Sequence, residues 1–212
     1  MYLPKIHEET RLDVLHALIR AHPLATWVAA DDGELIVNHI PFHLDASRGA
    51  FGTLVGHVAR ANPIWKTASA LPHVAVFRGP QAYVTPNWYP TKHEHGKAVP
   101  TWNYVVVAAH GRPTFIEDRG WLRGLLRQLT DEQEASQAQP WTIDDAPADF
   151  TEKMLAAIVG VEIPIERIQG KWKTSQNRPE ADKLGVMAGL SGKGDDESRA
   201  MAALVREHVA GA

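Results

Sequence analysis

Residues 24–45 read LATWVAADDGELIVNHIPFHLD, and how this stretch is parsed decides the fold. Its residues follow the two-residue period of a half-buried strand rather than the 3.6-residue period of a helix. Asp32-Gly33 interrupts the run with a residue pair suited to the left-handed backbone of a tight hairpin turn. The reading is therefore strand, turn, strand. Pro41 marks a bulge or a sheet edge, because it has no N–H to give to the ladder. Strands joined by so short a turn run antiparallel.

Working outward, Leu12, Leu15, Leu18 and Ile19 recur at helical spacing, with Thr10 as N-cap and Pro23 closing the helix. A turn over residues 47–49 leads into a third strand, AFGTLVGHVAR, and Asn62-Pro63 opens a short helix that carries Trp65 and Lys66 and stops before Pro72. HVAVFRG and QAYVTP read as two strands around Gly79-Pro80. Residues 87–100, NWYPTKHEHGKAVP, form the longest irregular stretch, of the length that usually serves a function. TWNYVVVAAHGRPTFIED reads as a hairpin turning near His110-Gly111. An amphipathic helix follows through Trp121, Leu122, Leu125, Leu126 and Leu129 to about Glu134. Another is expected over residues 147–158, with Phe150, Met154, Leu155 and Ile158 as its apolar stripe. VEIPIERIQGKWK returns to strand alternation. Pro179 sits in the first turn of a helix ending at Gly185 or Gly189.

Six or seven strands joined by hairpin turns, with helices set around them, give an α+β fold whose antiparallel sheet closes most simply into a small barrel. Residues 1–190 form that domain; residues 191–212 are a polar linker, SGKGDD, and a tail helix. GxGxxG, GxxxxGK[ST] and GxSxG are all missing, so the Rossmann, P-loop and hydrolase readings lose their usual support.

Composition narrows the function. The 212 residues carry a formal charge of -3, with 44% hydrophobic and 22% charged residues. A dedicated nucleic-acid binder carries a basic excess, and neither a recognition helix nor a basic stripe is legible. There are no cysteines, so disulfides, thiolate nucleophiles and Cys-type metal sites are excluded. The charged opening MYLPKIHEET is no signal peptide, and no apolar run approaches a membrane span. A cytoplasmic protein is expected. Of the eleven histidines, His39 and His43 lie about 13 Å apart if the segment is a strand, too far to share an ion. His93 and His95 on a loop are geometrically possible ligands, but they are read as part of a solvated polar loop, and no metal site is assigned.

Two segments carry the ligand chemistry: GHVARANP (56–63) and GKWKTSQNRP (170–179). Each sets cations beside Asn, Gln, Ser or His and a Trp. A planar ligand needs an aromatic or apolar wall and a few amides, while a phosphate needs charged donors. Arg60, Lys66, Lys171, Lys173 and Arg178 supply charge; Asn62, Thr174 and Ser175 supply neutral donors. Taken singly, each segment is equally a polar surface loop. No serine or carboxylate pair stands in an activating context, so any chemistry would be carried by a cofactor.

Together with MYLP, PLATWV, NHIPFHLD, AYVTPNWYPTK, VPTWNY and GVMAGL, these blocks resemble, in order, the PaiB-type FMN-binding negative transcriptional regulators. The resemblance implies an antiparallel split β-barrel with peripheral helices and a homodimer holding FMN between its subunits. It also implies a role in repressing genes. The cofactor residues it implies are His39, Ile40 and Pro41 on one strand and His57, Val58, Ala59, Arg60 and Asn62 at the end of the next. Thr101, Trp102 and Asn103, with Lys173, Ser175 and Gln176, complete the set. Arg60 and Lys173 are assigned to the phosphate by their charge. Two other readings share the fold: a flavin oxidoreductase acting on a small substrate, and a haem-binding or haem-degrading protein.

Overall fold

Asp32 and Gly33 turn the chain with φ of 45° and 83°, both in the left-handed region. The strands on either side pair antiparallel from Leu24↔Pro41 to Asp31↔Glu34. These coordinates are a computed structural model, which describes residues 1–67 and 71–209. In chain order the first strands are β1 (Glu8–Glu9), β2 (Leu24–Asp31), β3 (Glu34–Pro41), β4 (His43–Asp45) and β5 (Thr53–Ala59). Then come β6 (His73–Val84), β7 (Thr101–Gly111), β8 (Thr114–Ile116), β9 (Ile158–Pro164) and β10 (Arg167–Lys173). The helices are α1 (Leu12–Ala21), α2 (Lys92–His95), α3 (Arg119–Glu134), α4 (Ala148–Ala156), α5 (Glu180–Ser191) and α6 (Asp196–Arg206). The class is α+β with antiparallel pairing, as the hairpin implied.

The chain forms two units, Met1–His22 with Phe77–Ala108 and Gln169–Ala212, and Pro23–Val76 with Ala109–Ile168. In the second, β3 pairs with β2, and β2 with the start of β6 at Thr26↔Val76. After Pro41 the ladder breaks. Phe42 is buried, edge-on to Trp27 with ring centroids 5.8 Å apart, and the chain re-enters as β4 in a separate sheet of order β4-β5-β9-β8. Helix α3 lies against that sheet through Trp121, so close to Gly160 that a Cβ there would stand 2.2 Å from the indole. Its N-cap is Asp118, whose carboxylate accepts from the Trp121 N–H at 2.7 Å.

In the first unit β10 lies between β1 and β7, with β6 beyond β7. A core of Val84, Tyr89, Val186, Leu190, Met201 and Val205 ties α5 and α6 to the 84–89 segment. The expected tail helix is α6, packed into this core; residues 210–212 lie outside the described residues.

Several local expectations change. Gly79-Pro80 does not turn, because β6 runs unbroken from His73 to Val84. Gly79 is there for closeness, since a Cβ would meet Leu18 at 2.5 Å and Val105 at 2.7 Å. β8 pairs with β9 and does not fold back on β7. Gly111 again marks a close approach, a Cβ there lying 2.1 Å from the Pro164 carbonyl. Helix α5 continues through Gly185 and Gly189, both of which press on Trp88. Arg11, not Thr10, is the N-cap of α1, with its N–H donating to the Glu9 carboxylate at 2.8 Å. On α4 the buried residues are Thr151 and Leu155, while Phe150 and Met154 are exposed. The Asn62-Pro63 helix is a short 3-10 turn over Pro63–Lys66; residues 68–70, on the way to Pro72, lie outside the described residues.

Candidate functional site

The residues assigned from sequence fall into two groups, one in each unit. In the second unit β3 carries His39, Ile40 and Pro41. Ile40 is buried, whereas His39 and Pro41 are exposed, and His39 Nδ1 lies 3.3 Å from the Thr26 hydroxyl. β5 carries His57, Val58 and Ala59. Val58 belongs to the core and Ala59 is exposed. Buried His57 Nδ1 has no hydrogen-bond partner, and burial lowers the imidazole's pKa, which keeps it neutral.

The strand ends at Ala59, and the backbone turn that follows is built by side chains. Asn62 Oδ1 accepts from the Ile64 N–H at 3.0 Å and its Nδ2 donates to Asn38 Oδ1 at 2.6 Å. Trp65 Nε1 donates to the Arg60 carbonyl at 2.8 Å. Arg60 is the most connected of the group. Its Nε and Nη2 donate to the carbonyls of Ala156 and Ile158 at 2.8 and 3.1 Å. Its Nη1 meets the Glu117 carboxylate at 2.5 Å. The guanidinium also stands 5.8 Å from the Trp65 ring, with Lys66 Nζ at 5.2 Å. An anion approaching this fork competes with Glu117, whose side chain is 59% exposed. Such an exposed ion pair is worth about 1 kcal/mol or less.

In the first unit the TWNY and KWKTSQN segments come together. Lys173 Nζ donates to the Thr101 hydroxyl and, at 2.7 Å, to the Trp102 carbonyl. Asn103 Nδ2 donates to Ser175 Oγ at 2.9 Å, both side chains being buried. Ser175 has φ of 65°, a left-handed backbone that costs a non-glycine residue about 1–2 kcal/mol. Gln176 folds back, its Oε1 accepting from the Thr174 N–H at 2.8 Å and lying 3.2 Å from His7 Nδ1. Thr174 Oγ1 lies 2.8 Å from His208 Nε2, so the residues after α6 brace the same turn.

The charge around this turn is one-sided. Lys171, though buried, donates to the Tyr2 carbonyl at 3.1 Å and stands over the rings of Tyr2 and Tyr104. Arg178 stands 4.4 Å over the ring of Tyr89. No ion pair joins Lys171, Lys173 or Arg178 to a carboxylate among the described residues. The buried carboxylate on α5, Asp182, is occupied by the N–H and hydroxyl of Thr91. Burial lowers the pKa of Lys173, and the charges of Lys171 and Arg178 lower it further. His7 is lowered by burial too, and by Lys173 and Lys171 in addition. A lysine depressed by burial and by two neighbouring cations, with no carboxylate paired to it among the described residues, is arranged to receive an anion.

Sequence reasoning left out Asn38, Glu117 and His7. Asn38 adjoins His39, but nothing in the sequence marks its pairing with Asn62. Among the described residues no group of three or more His, Asp or Glu side chains could hold a metal ion. No helix among them is long and apolar enough to cross a membrane.

A family profile described as "Putative FMN-binding domain" matches residues 1–167. The chain is 30% identical over 210 residues to the Bacillus subtilis protein named Protease synthase and sporulation protein PAI 2, covering 99% of this chain and 98% of that one. An uncharacterized protein of Emericella nidulans is 35% identical over 243 residues, with 98% and 97% covered. Among solved structures, the flavocytochrome Anf3 of Azotobacter vinelandii matches with a TM-score of 0.57 at 16% identity, over 78% of this chain and 68% of that one. The FAD and heme binding protein of Mycobacterium smegmatis matches at 0.55 and 20% identity, over 79% and 73%. At such identities the likeness is one of fold, and the fold is the split barrel that the resemblance implied.

Proposed function

The chain belongs to the family of the FMN-binding domain matched over residues 1–167, and from that premise we propose that it binds FMN as a homodimeric regulator of the PaiB type. The observation that carries the proposal is the turn from Lys173 to Arg178. There, Lys173, lowered by burial and by the charges of Lys171 and Arg178, lies two residues before a left-handed Ser175. Strain of this kind persists where the surroundings over-determine it, and it clusters at ligand sites. Successive backbone N–H groups beside a left-handed residue make a concavity suited to phosphate oxygens. These residues fit a phosphorylated cofactor.

In this reading Lys173, with the Ser175–Gln176 backbone, is the phosphate candidate of the first unit, and Arg60 is a separate candidate in the second, which would have to exchange Glu117. Thr101, Trp102 and Asn103 fix Lys173 and Ser175 in place. His39, Ile40, Pro41, His57, Val58, Ala59 and Asn62 serve the planar ring, with a neutral His57 offering an unpartnered buried nitrogen. FMN itself would supply one- or two-electron redox chemistry. The dimer, with its cofactor between subunits, and the regulatory role rest on likeness to the Bacillus family. Direct contact with duplex DNA is not part of the proposal. A chain of net charge -3 lacks the electrostatic attraction that supplies most nonspecific binding.

Gel filtration of the protein after incubation with FMN is the test. Flavin absorbance co-eluting with a dimer supports the proposal; flavin eluting wholly in the small-molecule volume refutes it.

A further inference from the structure

We propose that an apolar pocket walled by α1 and α6 binds a small zwitterion with an apolar side chain, the chemistry of an apolar α-amino acid. The pocket is a cleft of about 480 Å3 within the first unit, open to solvent on one side, in the range of small-molecule sites. Val14 and Leu18 of α1, Val105 of β7, Trp172 of β10 and Leu204 of α6 supply its apolar lining. This space stays open because α6 turns only Ala200 and Ala203 toward it beside Leu204. The helix cannot shift inward to fill it, since Met201, Ala202 and Val205 are held in the core shared with α5.

Two charged residues complete the lining, and they are of opposite sign: Arg11 at the start of α1 and Glu207 at the end of α6. Arg11 Nε and Nη2 donate to Glu9 at 3.0 and 2.6 Å, while Nη1 makes no hydrogen bond among the described residues. Glu207 is exposed and joins no ion pair among them. A ligand carboxylate matches Nη1, a ligand ammonium matches Glu207, and an apolar side chain reaches inward to Trp172 and Val105. An apolar acid would leave Glu207 unmatched, while an apolar amine would leave Arg11 Nη1 without an acceptor, its Nε and Nη2 staying on Glu9. Charge complementarity therefore selects the zwitterion. None of these lining residues is assigned to FMN, so the pocket stands or falls independently of the cofactor.

Calorimetric titration of the protein as purified with L-phenylalanine, phenethylamine and 3-phenylpropionate tests the inference. L-Phenylalanine should bind saturably, and each truncated probe about tenfold more weakly. Glu207→Gln, on the surface, should weaken L-phenylalanine about tenfold and leave 3-phenylpropionate unchanged. Ala203→Phe, with wild-type circular dichroism as its control, should abolish binding of all three by filling the space. Lack of saturable binding of L-phenylalanine to wild type overturns the inference. Equal binding of the three probes, or no effect of Glu207→Gln, also overturns it.

Discussion

Asn103 Nδ2 donates to Ser175 Oγ at 2.9 Å, a buried bond that joins two segments 72 residues apart in the chain. It holds Ser175 in the left-handed backbone around which the cationic turn is built. Removing the hydroxyl strands the Asn103 amide, and a buried unsatisfied donor costs about 1–3 kcal/mol.

Ser175→Gly and Ser175→Ala separate that bond from the backbone strain. Both lose the hydroxyl, but glycine adopts the left-handed conformation freely. Ser175→Ala should therefore be less stable than Ser175→Gly by about 1 kcal/mol, read from urea midpoints. Equal stability of the two variants would show that no strain is stored there.

Gly185→Ala should destabilise, although alanine is worth about 1 kcal/mol more than glycine in a helix interior. The added Cβ would stand 1.9 Å from the Trp88 carbonyl oxygen, and backbone does not yield as a side-chain tip does. A net loss of about 1–3 kcal/mol is expected. Gly192→Ala, where the nearest atom is 3.5 Å away, is the control and should be near neutral. Thermal unfolding of the pair decides, and equal Tm values would contradict the close approach.

Acid should weaken the fold in a window set by histidines. His57, His73, His7 and His208 are all lowered from the ordinary 6.5, burial being the first cause in each. The unfolded chain takes up their protons near pH 6.5, whereas the folded chain takes them up only at lower pH. Their stabilising contribution is whole above 6.5 and is lost as pH falls toward the folded values. Glu9 and Glu162 are lowered from 4.5, Arg11 and Arg48 holding them ionised, so their contribution is lost only below 4.5. Urea midpoints should therefore fall as pH drops below 6.5, before the carboxylates begin to titrate, and His57→Gln should flatten the fall. A slope unchanged by His57→Gln would remove that residue from the account.

The hairpin over residues 24–41 was legible because alternation and an Asp-Gly turn are local signals. The KWKTSQN turn was legible as a cluster of cations and amides. What misled was glycine. Gly79, Gly111, Gly185 and Gly189 read as turns or stops, yet each permits a close approach to a residue far away in the chain, which sequence alone does not reveal. The exchanges between sheets after Pro41 and after Gly111 depend on non-local pairing for the same reason. Arg60 was recognised as a cation, but its partner Glu117 lies 57 residues on, and nothing near Arg60 announces it.

Glu117→Gln follows from that pair. If Arg60 takes a cofactor phosphate by releasing Glu117, neutralising the competitor should tighten FMN binding. The gain is about twofold to fivefold, the worth of an exposed ion pair. Weaker binding in Glu117→Gln would mean that the pair serves structure alone.

The most direct measurement is fluorescence titration of FMN and of riboflavin against wild type, Lys173→Ala and Arg60→Ala. Riboflavin lacks the phosphate and should bind wild type more weakly than FMN does. Losing a charge-assisted bond should weaken FMN about tenfold to a hundredfold in either variant. Riboflavin should be indifferent to Lys173→Ala, because the lost contact was never made. Equal affinities of the two flavins for wild type, or equal weakening of both by Lys173→Ala, would contradict the assignment of the cationic turn to the cofactor phosphate.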